Sequence, residues 1–264
     1  YKTEGINNQY RSGVFDATVT GGTGYFKWIL YYIKKRLADY SCIRISQRFG
    51  KTVKITLLDM NMSELTEYTV SIGQPAYRAK QIMNWMMRGA EISEMTNLPR
   101  TLREELENRA QVGIPKIARK LVSEIDGTVK YLFELDDGQC VESVVMKYEH
   151  GRSICISTQV GCRMGCRFCA STIGGRVRNL RPYEMLGQVI AAGRDIGERI
   201  DGIVLMGIGE PLDNYDNVIK FLRLVGSPDG LNIGYRHISL STCGYAERLP
   251  QLAAEGLPIT LSVS

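Results

Sequence analysis

The stretch Cys162-Arg163-Met164-Gly165-Cys166-Arg167-Phe168-Cys169 sets three of the chain's seven cysteines within eight residues and supplies no fourth ligand. Clustered thiolates at such spacing are metal-ligand chemistry. Structural zinc needs four ligands in a closed tetrahedron, and the two histidines, His150 and His237, stand at no ligand spacing from the run. Iron–sulfur clusters are held by cysteine thiolates, four for a fully ligated cubane. A CxxxCxxC triplet can therefore hold three irons of a 4Fe-4S cluster and leave the fourth iron open to a small chelating molecule. Gly165 lets the backbone turn tightly between the ligands, and Phe168 is placed to shield one face of the cluster from water.

The surrounding sequence shows what must position this loop. From residue 152 onward, β-rich runs alternate with helical ones: SICIST, a helix from Pro182 to about Ile196, GIVLMGIGEP, a helix over 217–224, HISLSTCG, a helix over 247–254, and PITLSVS. Short strands separated by helices indicate parallel strands with helical crossovers. Upstream, residues 116–151 alternate apolar and polar side chains between the turn signals Asp126-Gly127, Asp137-Gly138 and His150-Gly151, which predicts a meander of three or four strands. Residues 54–115 read as a small helical module, with Ser63 as an N-cap, a helix placing Ala79, Ile82, Met83 and Met86 on one face, and a further helix over 100–110. Residues 1–53 hold no sustained period and are left without a fold. Cys42 and Cys140 read as packing residues. The chain opens on Tyr1 and stops straight after an apolar run, so both ends read as cut.

Composition bounds the class. With 264 residues and 44% hydrophobic content the chain can bury a real core. No run approaches the eighteen apolar residues of a membrane span; the longest, YFKWILYYI, meets Lys34, Lys35 and Arg36 at once. An odd cysteine count with no secretory signal points to a reducing, cytoplasmic setting. The net charge of +5 is uneven: residues 1–53 carry nine basic and three acidic groups, and the remainder is close to neutral. The window 162–181 holds Arg163, Arg167, Arg176, Arg178 and Arg181 and no acid, a loop able to grip phosphate oxygens.

The cysteine triplet following the first strand of a strand–helix series resembles the radical S-adenosylmethionine (SAM) superfamily, in which the amino and carboxylate groups of SAM chelate the open iron. The segments CISTQVGCRMGCRFCASTIGGRVRNL, MGIGEPLDNYDNV and HISLSTCG resemble more closely still the RlmN/Cfr family of adenine RNA methyltransferases, over roughly residues 57–264. The resemblance implies an α/β fold: a partial radical SAM (β/α) barrel over 152–264, preceded by a helical RNA-binding-type module over 54–115 and a β-meander over 116–151. It implies Cys162, Cys166 and Cys169 as cluster ligands, Gly209, Glu210, Ser241 and Ser264 as SAM contacts, Glu142 as a proton acceptor, and Cys155 as the thiol that resolves a protein–RNA crosslink through a transient disulfide. It gives Cys243 no role.

The implied reaction is methylation of adenosine carbon 2 in 23S rRNA, and in tRNA, by a monomer fed by a flavodoxin-type electron donor. That carbon is electrophilic, so direct displacement from SAM fails and radical chemistry is needed. One SAM methylates a carrier cysteine, a second yields a 5′-deoxyadenosyl radical that activates the methyl group, and the target base leaves its stack to be reached. The family's carrier cysteine lies past the fourth strand, so residues 1–264 alone are expected not to complete turnover. A carbon-8 methyltransferase, a cluster-bearing electron carrier, or an inactive truncated or chimeric product are the rival readings.

Overall fold

The structure, a computed structural model, describes residues 54–149 and 151–264; the segment 1–53, Cys42 and the turn residue His150 lie outside the described residues. Helix α1 (Met62–Ser71) starts on a capping box: Asn61 accepts from the Glu64 N–H at 2.9 Å, and the Glu64 carboxylate accepts from the Asn61 N–H at 2.8 Å. Asn61 is thus the N-cap in place of Ser63, because Asn-x-x-Glu satisfies two orphan donors reciprocally, and Ser63 already lies inside the first turn. Helix α2 (Tyr77–Met86) buries Ala79, Ile82, Met83 and Met86, and α3 (Arg100–Arg109) buries Leu102 and Leu106. A short parallel pair, β1 (Ile55–Thr56) with β2 (Ala110–Gln111), closes this module at its base.

Next come β3 (Lys116–Val122), β4 (Val129–Glu134), β5 (Cys140–Tyr148) and β6 (Gly151–Cys155), paired antiparallel in turn. After β6 the chain forms a two-stranded ribbon, β7 (Gln159–Gly161) with β8 (Arg176–Asn179), which the sequence pattern did not suggest. Three crossovers follow: α4 (Pro182–Ile196) to β9 (Gly202–Leu205), α5 (Tyr215–Gly226) to β10 (Ile238–Thr242), and α6 (Leu249–Ala254) to β11 (Thr260–Val263). Strand β6 pairs parallel with β9, β9 with β10, and β10 with β11. The result is one mixed seven-stranded sheet of order β11-β10-β9-β6-β5-β4-β3. The meander strands and the crossover strands share β6 as their junction, so they form a single sheet.

Strand alternation divides the sheet into two faces. Tyr131, Phe133, Val141, Val145, Ile154, Ile203, Leu205, Ile238 and Leu240 are buried on one face, in the same core as the buried residues of α4, α5 and the helical module. The register Leu132↔Glu142, Val144↔Cys155, Cys155↔Val204, Val204↔Ser239 and Ser241↔Ser262 sets the other face, which is half-buried and carries the polar side chains among apolar Leu132, Val144 and Val204. Every residue of α4 from Pro182 to Ala192 is buried. One of them, Gln188, braces the sheet: its Oε1 accepts from Ser143 Oγ (2.7 Å) and the Ser157 N–H (3.0 Å), and its Nε2 donates to the carbonyls of Ser157 (3.1 Å) and Glu184 (3.0 Å). Among the described residues no helix is long and apolar enough to cross a membrane.

Because Gln188 satisfies a buried hydroxyl on β5 and the buried backbone of Ser157 just after β6, Gln188→Ala leaves those groups unpaired. It should lower unfolding stability by about 3 kcal/mol, read from urea denaturation, with little change in far-UV circular dichroism.

Candidate cluster and cofactor site

Residues 156–159 leave β6 pressed against the segment after β9. The Gly207 N–H donates to Ile156 O (3.0 Å), and the Thr158 and Gln159 N–H groups both donate to Ile208 O (2.8 and 3.1 Å). At Gly209, φ is +107° and an added Cβ would stand 2.6 Å from Gln159 Cβ and 2.8 Å from its backbone nitrogen, so only glycine fits. This contact sets Glu210 beside the cysteine ribbon. The Glu210 N–H donates to Gln159 Oε1 at 2.9 Å. Its buried carboxylate accepts from the Leu212 N–H (3.0 Å), Thr242 Oγ1 (2.8 Å) and the Cys243 N–H (2.8 Å), which ties the end of β9 to the end of β10.

A second carboxylate holds the cysteine loop. The Asp213 side chain, 3% exposed, pairs with Arg176 at 2.7 Å and with Arg163, and accepts from Gln159 Nε2 at 2.8 Å. Burial alone would raise this carboxyl, but hydrogen bonds from Gln159 and Arg163 and the charges of Arg176 and Arg163 hold it below the ordinary range. Arg178 makes a bidentate pair with buried Glu184 (2.8 and 2.8 Å) and reaches Asp137 at 2.7 Å. Arg181 pairs with Asp59 at 3.2 Å and lies over the Tyr183 ring. The basic run expected to grip phosphate is therefore committed mostly to internal carboxylates. Local spacing hid this, because the acids arrive from residues 59, 137, 184 and 213.

Within that frame Cys162 is buried, and Cys166 and Cys169 are half-buried. The Cys162 N–H donates to Gly175 O (3.0 Å), the Cys169 N–H to Cys166 O (3.0 Å), and Thr172 Oγ1 to Cys169 O (2.8 Å). Burial pushes the Cys162 thiol up, and the charges of Cys169, Cys166 and Glu210 push it the same way. Gly165 takes the expected positive φ, +74°. Phe168 is 81% exposed, so it does not shield the loop. Among the described residues no three His, Cys, Asp or Glu side chains converge as ligands of one metal ion, and none of the described cysteines is in a disulfide. Three cysteines on one loop are a donor set whose chemistry fits an iron–sulfur cluster.

The remaining predicted residues fall on two parts of the sheet. Glu142 and Cys155 share the half-buried polar face; Glu142 Oε1 is paired with Lys130 Nζ at 2.7 Å across β4 and β5. Burial pushes the Cys155 thiol up to about 11, despite a backbone hydrogen bond at Met206. Ser241 lies on the same face and is the cross-strand partner of Ser262. Ser264 extends this edge, its N–H donating to Thr242 O at 3.0 Å. Sequence reasoning missed Gln159, Asp213, Thr242 and Lys130. A polar Gln159 on the short strand before the cysteines, and an acid three residues after Glu210, were the available signals.

Residues 55–112 match the model of the ribosomal RNA large subunit methyltransferase N-terminal domain, and residues 156–264 match that of the radical SAM superfamily. A probable dual-specificity RNA methyltransferase RlmN from Clostridium acetobutylicum is 55% identical over 209 residues, covering 79% of this chain and 61% of the relative. The chain is thus similar to the RlmN group of radical SAM proteins. A second RlmN relative, from Clostridium tetani, is 50% identical over 211 residues, covering 80% of this chain and 60% of that protein. The crystal structure of a radical SAM methyltransferase from Sphaerobacter thermophilus superposes with a TM-score of 0.75 at 38% identity, over 79% of this chain and 63% of the other. The chain thus spans about three fifths of the length of its RlmN relatives.

Asp213→Asn removes the buried charge that Arg163 and Arg176 face. At pH 6 it should cost about 3 kcal/mol of unfolding stability. The depressed carboxyl contributes stability that is fully present above the ordinary aspartate value of about 4 and is lost as pH falls through the lower folded value. The gap between wild type and variant in urea melts should therefore narrow from pH 6 to pH 3.

Proposed function

We propose that the protein is a radical SAM RNA methyltransferase that methylates carbon 2 of adenosine in 23S rRNA and in tRNA, through a methyl-cysteine intermediate and with electrons from a flavodoxin-type donor. The observation that carries this reading is the placement of Cys162, Cys166 and Cys169 on the loop between β7 and β8, with Glu210 fastened to the same ribbon by its N–H on Gln159 Oε1 at 2.9 Å. The RlmN relatives, named dual-specificity RNA methyltransferases, support RNA as the substrate. Cys162, Cys166 and Cys169 would hold a 4Fe-4S cluster, and Gly209, Glu210, Ser241 and Ser264 would hold SAM. When bound together, cluster and SAM supply one-electron cleavage of SAM, and with it the power to activate an inert methyl group.

The chain's own residues then divide the labour. Gly209 allows the backbone to approach a ligand closely, and the Glu210 carboxylate, fixed by three donors, is oriented to receive an ammonium group. On the polar face, Glu142 is held by Lys130 and takes the proton that carbon 2 must lose. Cys155 on the neighbouring strand stays a thiol at neutral pH, since burial raises it; this protects it from adventitious oxidation until it resolves the crosslink.

Nucleosides from RNA of cells making a form of the chain extended to include the family's carrier cysteine, separated by mass spectrometry, should contain 2-methyladenosine above the level of cells lacking it. Finding 8-methyladenosine instead would move the reaction to carbon 8, and finding neither would remove the methyltransferase reading. Glu142→Gln should lower the yield by about a hundredfold or more without altering SAM binding.

A further inference from the structure

Helix α2 buries Ala79, Ile82, Met83 and Met86 and turns its opposite face to solvent. That face carries Tyr77, Lys80, Gln81, Asn84 and Trp85 at spacings of three and four residues, and Arg88 continues it in the turn beyond the helix. Tyr77 is 57% exposed, Lys80, Asn84 and Arg88 are exposed as well, and Gln81 and Trp85 are half-buried. The sequence holds no acidic residue between Glu67 and Glu91. Among the described residues, no carboxylate pairs with Arg78, Lys80 or Arg88. Helix α3 of the same module shows the ordinary alternative, a surface on which Arg100 pairs with Glu104 at 2.7 Å and Arg109 with Glu105 at 3.2 Å.

The exposed side chains are also held in order. The Arg78 guanidinium carbon lies 5.0 Å from the centroid of the Tyr77 ring, and that of Arg88 lies 5.9 Å from the Trp85 ring. Arg78 Nη1 donates to Gln81 Oε1 at 2.8 Å and to Asn97 O at 3.3 Å, while Trp85 Nε1 donates to Asn97 Oδ1 at 2.6 Å. Asn97 therefore joins the two aromatic–arginine pairs into one patch. Aromatic rings and guanidinium planes are surfaces on which unpaired bases stack. Cations without carboxylate partners attract phosphates, and Asn and Gln amides read base edges. Arg163, Arg176, Arg178 and Arg181, by contrast, already face carboxylates of the protein itself.

We infer that this face of α2 is an RNA grip: Tyr77 and Trp85 stack unpaired bases of the substrate, and Arg78, Lys80 and Arg88 hold its phosphates. The inference deepens the RNA methyltransferase reading and rests on it for the identity of the polymer. None of the residues assigned to the cluster, to SAM or to proton transfer lies on this face. Its contribution is therefore to affinity and not to the chemical step.

The test is direct binding, by the chain itself, of a labelled single-stranded RNA of about 12 nucleotides, a length within the usual span of such sites, read by fluorescence anisotropy. The triple variant Arg78→Gln, Lys80→Gln, Arg88→Gln should weaken binding about tenfold or more. It should also flatten the slope of log affinity against log salt by about 2, since each phosphate contact on a single strand contributes about 0.7. Trp85→Leu should cost about tenfold, and Tyr77→Ala, which removes the more exposed ring, about fivefold; urea melts show whether each variant keeps its fold. The chain has two tryptophans, so in Trp28→Phe the emission comes from Trp85 alone. It should be quenched by the RNA and not by heparin, which has the charge and no bases.

A wild-type chain that binds no RNA, unchanged affinity in the triple variant, or equal quenching by heparin overturns the proposal. Equal affinity for a perfect duplex overturns the claim on unpaired bases, and competition by polyglutamate as strong as by RNA would make the face a docking surface for an acidic protein instead. The two readings fail separately. Methylated product from the extended chain, alongside α2 variants that bind RNA as wild type does, defeats the grip alone; RNA binding that depends on α2, with no methylated product, defeats the methyltransferase reading alone.

Discussion

The Asp213 carboxylate is buried in the short turn that leads into α5, where an unpaired charge would be costly. Gln159, Arg163 and Arg176 offset that cost, and these residues come from the strand before Cys162, the residue after it, and the strand after Cys169. The contact that neutralises Asp213 therefore fastens both flanks of the cysteine triplet to the main sheet. Without it the β7–β8 ribbon would hang on few backbone bonds, since it belongs to a separate two-stranded sheet. A two-stranded ribbon is marginal by itself, so the ion pairs carry positional information as well as energy.

Glu210, three residues earlier, does the complementary job toward β10. Its carboxylate gathers the Leu212 and Cys243 N–H groups and the Thr242 hydroxyl. The segment Gly209-Glu210-Pro211-Leu212-Asp213 thus holds the cysteine ribbon through one acid and the next strand through the other. The segment between Arg163 and Ala170 lies outside this clamp, which suits a loop that must shape itself around a ligand. Rigid flanks around an adaptable loop are what a preorganised site requires.

Much of this was legible in the sequence. The helix over Pro182–Ile196, the strands around Ile154, Ile203, Leu240 and Leu261, and the apolar face of Ala79, Ile82, Met83 and Met86 all follow from local period and turn chemistry. The cysteine triplet was legible because its ligands are close in sequence. The destinations of the arginines were not, since ion pairs such as Arg178–Glu184–Asp137 and Arg163–Asp213–Arg176 depend on which loops the topology brings together. The same limit hid the union of meander and crossover strands: each set reads correctly alone, and only the pairing of β6 with both β5 and β9 joins them.

That junction strand shows how closely core and chemistry are coupled. Ile154 points into the core and Cys155, the next residue, onto the polar face shared with Glu142 and Ser241. Strand side chains alternate with period two, so a one-residue slip of β6 would bury Cys155 in the core and expose Ile154. Burial of Ile154, Ile203 and Val145 opposes such a slip, and the Ser143–Gln188–Ser157 bonds oppose it again from the helix side. Register at β6 is therefore set by apolar packing on one face, while the consequence of that register is read out on the other. A core substitution that leaves the sheet folded but loosens this register would disturb Cys155 and Glu142 first, so the order of that face is more sensitive to packing at Ile154 than the sheet itself is.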